Sequence, residues 1–218
     1  GGDGTPLPDN SGPTDFISDY KSLGLTIDSR LQKAAFTALS KQVTKWKAKK
    51  GFAIVMNVNN GEILSLVTTP SYDPNKYWEY NSEVFRGWYS QDLFEPGSTF
   101  KPINLALALE EKVIQKDGFI EDSGVVNVGG WTLSNWDKKG NGYIDYQEVL
   151  QVSSNVGMVK IMENLPPTIY WDWLDKLGIS SKLETDLFES TAGQLKSKDV
   201  FVSHSIEPAV ASFGKGFS

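Results

Sequence analysis

Apolar residues recur every three or four positions from Leu31 through Ala35, Leu39, Val43 and Trp46. That spacing predicts a helix from about residue 28 to 49 with one buried face and Asp28 as its N-cap. Lys33, Lys41, Lys45, Lys47, Lys49 and Lys50 occupy the remaining positions, which reads as a solvated outer face rather than a surface for anionic lipid or polymer. The pattern then changes period. Phe52–Val58 and Glu62–Thr68 are β-rich runs, and Asn60-Gly61 between them predicts a hairpin closed by a tight primed turn. From Pro70 to Gly97 the chain is aromatic and irregular (Tyr72, Tyr77, Trp78, Tyr80, Phe85, Trp88, Tyr89, Phe94), which suggests an ordered, packed loop region. Helical spacing returns near 99–111, 145–152, 156–163 and 168–177, whereas Val125–Trp136 is Gly-rich and extended. Residues 1–20, rich in Gly, Pro, Ser and Asp, read as a flexible linker ahead of one domain spanning 21–218. One strand pair followed mostly by helix points to an α/β or α+β fold.

Composition narrows the chemistry. The 218 residues carry 21 Lys+Arg against 27 Asp+Glu, a net charge of −6, one histidine and no cysteine. An acidic balance argues against a nucleic-acid surface. Absent cysteine removes disulfides, thiolate zinc sites and cysteine nucleophiles, and a lone His204 removes multi-histidine metal sites. No cofactor is implied. No apolar run approaches the roughly 18 residues that a membrane span needs.

The informative stretch is Phe94-Glu95-Pro96-Gly97-Ser98-Thr99-Phe100-Lys101-Pro102. Ser98 and Lys101 are three apart, so a helix carries both on one face. A serine hydroxyl becomes a nucleophile when a base takes its proton, and a partly buried lysine can be neutral enough to serve. Pro102 is tolerated only in the first helical turn, so Ser98 belongs at the helix entrance, where backbone N–H groups can meet an oxyanion. A second segment, Ser153-Ser154-Asn155-Val156-Gly157, offers a hydroxyl and an amide at i and i+2 that can point the same way. Its plainer reading is a cap for the next helix.

Together these strings resemble the penicillin-binding proteins, and within them the class B, monofunctional transpeptidase branch. The resemblance extends from about residue 23 to 218, including Leu25–Asp28, Ala53–Asp73 and Ile206–Phe217. It implies that Ser98 is the acylated nucleophile, Lys101 its general base, Ser153 a proton relay, and Asn155 a holder of the substrate carbonyl that also orients Lys101. The implied reaction is D,D-transpeptidation: Ser98 attacks the penultimate D-Ala carbonyl of a peptidoglycan stem peptide, and an amine of a neighbouring stem resolves the acyl-enzyme. β-Lactams would acylate the same serine, in a role in cell division or elongation. The implied location is the extracytoplasmic, periplasmic face of the bacterial inner membrane, with the anchor upstream of Gly1. The family's third motif, Lys-Thr-Gly or Lys-Ser-Gly, does not occur in the 218 residues. Truncation is the expectation: a partial five-stranded sheet beginning with the hairpin, a catalytically crippled piece, and self-association through the hairpin edge.

Three other readings compete. Asp137–Glu148 imitates a calcium loop, with Asp137, Asn141, Asp145 and Glu148 at ligand positions but Lys139 where an oxygen is needed; the resemblance offers another reading, since the family carries a similar Asn135-Trp136-Asp137 and Gly-rich turn just before its Ser-x-Asn motif. A Ser-His-Asp hydrolase on His204 lacks a Gly-x-Ser-x-Gly elbow. A penicillin-binding sensor or scaffold relative, acylated without transferring, would fit the absent third motif.

Overall fold

A computed structural model describes residues 23–185 and 190–218. The linker expected at 1–20 lies outside the described residues. The chain divides into two compact units, Gly1–Tyr89 and Ser90–Ser218. The fold is α+β, as the pattern predicts.

In the first unit, α1 (Ser29–Trp46) packs on an antiparallel hairpin of β1 (Gly51–Met56) and β2 (Ile63–Thr69). Asp28 caps α1, its carboxylate accepting from the backbone N–H of Arg30 (2.8 Å) and Leu31 (3.2 Å). The outer edge of β2 is occupied. Asp28 N donates to Leu64 O (2.9 Å), while the Gln32 amide donates to Leu66 O (2.7 Å) and accepts from Leu66 N (2.9 Å), as a neighbouring strand would. Two expectations need correction. The apolar stripe of α1 is only half-buried at Ala35, Leu39 and Val43, and its ends Leu31 and Trp46 are exposed, because the two-stranded hairpin is too narrow to cover five helical turns. The hairpin also closes without a two-residue primed turn. Asn57 N donates to Glu62 O (2.9 Å) and Gly61 N to Asn57 O (2.8 Å), so the loop is Val58–Gly61; Gly61, but not Asn60, takes positive φ. The aromatic stretch that follows is ordered by capped 3₁₀ turns at Pro74–Glu79 and Ser82–Phe85 and by edge-to-face rings such as Tyr72–Phe85 (4.7 Å). None of its large rings is buried. A single turn, α2 (Trp88–Gln91), follows at the junction in sequence.

The second unit holds the dense core. A 3₁₀ turn, Gly97–Phe100, runs into α3 (Lys101–Glu110). Two small antiparallel sheets follow, β3 (Phe119–Asp122) with β6 (Gly142–Asp145), and β4 (Val125–Val128) with β5 (Trp131–Ser134). The sequence reading anticipated extended chain at Val125–Trp136, where β4 and β5 lie, but neither β3 and β6 nor these pairings. Then come α4 (Tyr146–Gln151), α5 (Asn155–Met162), α6 (Pro167–Lys176), α7 (Lys198–Ser203) and α8 (Ile206–Ala211). Helix α5 is the core helix: Val156, Met158, Val159, Ile161 and Met162 are all buried, so it is apolar nearly all round. Phe100, Leu107, Ala108, Val149, Tyr170, Leu174 and Phe201 close around it.

Candidate active site

Ser98 sits exposed in the 3₁₀ turn, and its carbonyl accepts from Lys101 N. The turn is held from the far end of the chain. Gly97 N donates to Gly214 O (2.8 Å), Gly216 N donates to a Glu95 carboxylate oxygen (2.8 Å), and the Lys215 ammonium pairs with the other oxygen (2.8 Å). Beneath them, the rings of Phe100 and Phe217 meet edge to face at 4.9 Å. The approach of the two backbones depends on glycine. Gly214 has φ +78°, and a Cβ placed there would lie 2.0 Å from Gly97 O. The Lys215 and Gly216 contacts hold the Glu95 carboxyl below its usual range.

Lys101 opens α3 with its side chain turned inward, 1% exposed. Its ammonium donates to Ser153 O (2.6 Å), Ser153 Oγ (3.1 Å) and Asn155 Oδ1 (2.8 Å). Three N–H bonds and three acceptors match. Burial disfavours the charged form and lowers its pKa to about 8. Ser98 Oγ is not among its partners, so the hydroxyl and amine share a helix face without a hydrogen bond in the resting arrangement. Such contacts commonly tighten only when substrate arrives.

Local chain geometry explains why Ser153 can present two acceptors. Helix α4 ends in a Schellman motif: Ser154 N donates to Val149 O (2.9 Å) and Ser153 N to Leu150 O (3.2 Å). Ser153 holds the left-handed position, φ +56°, that glycine usually takes. An L-residue there costs on the order of 1 kcal/mol. The next residue, Ser154, is buried and caps α5 by accepting from Gly157 N (2.8 Å). The segment divides its contacts between different residues: Ser154 caps α5, while Ser153 and Asn155 face the lysine.

Behind them lies a polar cluster to which sequence reasoning gave no role, although it noted the turn that contains Asn135. Asn135 Oδ1 accepts from Asn155 N (2.8 Å), Val156 N (3.2 Å) and Ser154 Oγ (3.3 Å). Its amide nitrogen donates to the Asp122 carboxylate (3.0 and 2.9 Å) and to Lys139 O (2.9 Å). Asp122, 1% exposed, also accepts from Asn141 Nδ2 (2.6 Å) and Gly124 N (2.8 Å). Burial works against its charge, yet these donors outweigh it and hold its pKa below the usual value. On α3, buried Asn104 donates to Ala211 O (2.9 Å) and Ser212 O (2.8 Å) and accepts from Tyr170 OH (2.9 Å). A polar residue on the apolar face of α3, one turn beyond Lys101, was the signal that could have found it.

The calcium reading of 137–148 does not hold. Asp145 and Glu148 are spent on a capping box at the start of α4, Asn141 donates to Asp122, and Asp137 accepts from Lys139 N. Among the described residues, no group of three or more His, Asp or Glu side chains could hold a metal ion. His204 fails as a triad member as well. Its Nδ1 faces Val200 O (3.1 Å) and Ser203 Oγ (3.0 Å), and Ser203 Oγ donates to a backbone carbonyl, so no carboxylate orients the ring.

An exposed serine at a helix entrance, a buried lysine three residues on, and a Ser-x-Asn corner closing over that lysine define the Ser-x-x-Lys class of serine proteins. The chain belongs to the penicillin-binding protein transpeptidase family, whose domain matches residues 51–218. It is 44% identical over 212 residues to a peptidoglycan D,D-transpeptidase FtsI homolog of Mesostigma viride, covering 93% of this chain and 36% of that protein. Against the peptidoglycan D,D-transpeptidase FtsI of Escherichia coli K12 it is 32% identical over 200 residues, covering 89% of this chain and 32% of that one. A crystal structure of a peptidoglycan glycosyltransferase from Burkholderia ambifaria superposes with TM-score 0.77 at 31% identity, over 89% of this chain and 56% of the other. The transpeptidase domain of Burkholderia pseudomallei penicillin-binding protein 3 gives 0.76 at 30%, over 88% and 53%. The chain spans about a third of the length of the curated relatives it matches.

Proposed function

We propose that the protein containing this chain is a peptidoglycan D,D-transpeptidase that works through a serine acyl-enzyme, with Ser98 as nucleophile and Lys101 as base. The observation that carries this reading is the buried Lys101 amine, lowered to about 8 and held between Ser153 and Asn155 at the foot of the Ser98 turn. Neutral Lys101 takes the Ser98 proton as Oγ attacks the penultimate D-Ala carbonyl. Gly97 N is committed to Gly214 O, so the Ser98 N–H, next in the turn, receives the developing oxyanion. Ser153 Oγ, hydrogen-bonded to Lys101, passes the proton to the departing D-Ala nitrogen, and the C–N bond breaks. Asn155 fixes the substrate carbonyl. An amine of a second stem peptide then attacks the ester and releases Ser98. β-Lactams stop at the acyl stage. The substrate places the domain on the peptidoglycan side of a membrane; no helix among the described residues is long and apolar enough to cross one.

Fluorescent penicillin added to the full-length protein tests the reading. Label is expected at Ser98 alone, and Ser98→Ala should abolish it. Lys101→Arg should be nearly as severe, because a guanidinium stays protonated. The acylation rate should rise with pH through about 8 and fall about tenfold per unit below it, since only the neutral amine acts as base. Label persisting on another serine would overturn the assignment. Acylation without cross-linking of D-Ala-D-Ala peptides would leave a penicillin-binding sensor or scaffold.

A further inference from the structure

The Asn135-Trp136-Asp137 turn is left without a task by the four motif residues, yet Asn135 is 4% exposed while Trp136 is 84% exposed. The buried member is the one that touches the site. Helix α5 begins with N–H groups that need acceptors, and Asn135 Oδ1 takes two of them, from Asn155 and Val156. Its neighbour Ser134 accepts from Asn155 Nδ2 (3.0 Å). An amide that donates to Ser134 O on one side must present its oxygen on the other, and that oxygen is the one on Lys101 Nζ (2.8 Å). The Ser134-Asn135 corner thus fixes both the position of Asn155 and which way its amide faces. The corner is fixed in turn: the Asn135 amide nitrogen donates to both oxygens of the Asp122 carboxylate and to Lys139 O, and that carboxylate is braced by Asn141 Nδ2 and Gly124 N.

We propose that Asn135, anchored by Asp122, is a positioning residue for the acylation step, acting through Asn155 on the Lys101 amine. This rests on the proposed function above. The cluster has the properties such a part requires. Asp122 and Asn135 are buried and Ser134 and Asn155 half-buried, and among the described residues no buried side-chain polar atom lacks a hydrogen-bond partner. Asp122 is the charged group behind Asn135, and no charged side chain is among the partners of Lys101 Nζ. Loss of Asn135 frees Asn155 to turn away, which removes one of three acceptors from the ammonium and misplaces the group that meets the substrate carbonyl. The first effect lowers the proton affinity of Lys101 and the second lowers the rate, so the two move together in a way that simple destabilisation does not reproduce.

The test follows the Lys101 ammonium by ¹⁵N-lysine NMR in the full-length protein from pH 6 to 11, with Lys101→Arg for assignment, beside acylation of Ser98 by fluorescent penicillin. Asn135→Ala is expected to lower the Lys101 midpoint by about one unit and the rate per labelled site by about 10²-fold. A midpoint and per-site rate that stay at wild-type values while only the labelled fraction falls would make Asn135 a fold element and overturn the proposal. Asn135→Asp sets two carboxylates against each other; combining it with Asp122→Asn restores a donor facing a carboxylate. The exchanged pair is expected to acylate at least about tenfold faster than Asn135→Asp alone, and a pair no faster than that single variant also overturns the proposal. Failure of the wild-type protein to label at Ser98 would sink the proposed function, whereas the NMR midpoint would still decide the role of Asn135.

Discussion

Helices α1 and α4 end in the same way. Lys47 N donates to Thr44 O (3.2 Å) and Ala48 N to Val43 O (3.0 Å), the same Schellman pairing that Ser153 and Ser154 make at the end of α4. In both, a non-glycine residue holds the left-handed position, Lys47 at φ 51° and Ser153 at φ 56°. The surroundings differ. Lys47 is exposed in a unit whose helix buries no residue, whereas Ser153 leads into a unit packed around α5 and turns its carbonyl and hydroxyl onto a buried amine. The same backbone device is a helix stop in one place and a way to aim two acceptors in the other. A strained residue therefore marks a functional site only when something buried depends on its direction.

The widest separation between the two units should appear in their packing. Leu174→Ala, at a fully buried position, is expected to cost about 3 kcal/mol in urea unfolding, and Leu39→Ala, half-buried on α1, about 1 kcal/mol. Equal losses would erase the distinction. The next largest effect lies at the matched helix ends. Ser153→Gly keeps the turn and the carbonyl but deletes the proposed relay hydroxyl, so acylation should fall about 10²-fold, while the gain of about 1 kcal/mol from relieved left-handed strain is offset by the acceptor lost to the buried Lys101 ammonium. Unchanged stopped-flow acylation in that variant would remove Ser153 from the mechanism. Lys47→Gly is the smallest perturbation: the same gain of about 1 kcal/mol, read as a melting point higher by a few degrees, with acylation untouched.

The four motif residues were legible because their spacing is local and each segment starts or ends a helix. Helices α3 to α6 were legible for the same reason, through their apolar period and the placement of Pro102 and Ser154. Period alone did not say how much of a face would be covered, which is why Leu31 and Trp46 were expected inside and lie outside. The Asn-Gly dipeptide pointed to a hairpin but not to the loop length, because the pairing of Asn57 with Glu62, outside the dipeptide, sets it. The contacts of Asp122 and Asn135 were invisible for a different reason. Apart from Gly124 and Lys139, the partners of their side chains lie 13 to 21 residues away along the chain, and a buried carboxylate reads in sequence like any surface one until its donors are assembled around it. The grip of Gly214 on Gly97 was hidden in the same way.

That last contact imposes an order of assembly. Closing a loop between distant points is slow and comes late, whereas helices and neighbouring turns form early. The lysine pocket draws only on segments up to Asn155, so it can be in place on a chain still emerging from the ribosome. The turn that carries Ser98 acquires its anchor only when Gly214, Lys215 and Gly216 have been synthesised and have folded back onto Gly97 and Glu95. The Ser98 turn is therefore the last part of the Ser98–Lys101 pair to be set, and a partly made chain can carry the lysine contacts before it carries a fixed serine.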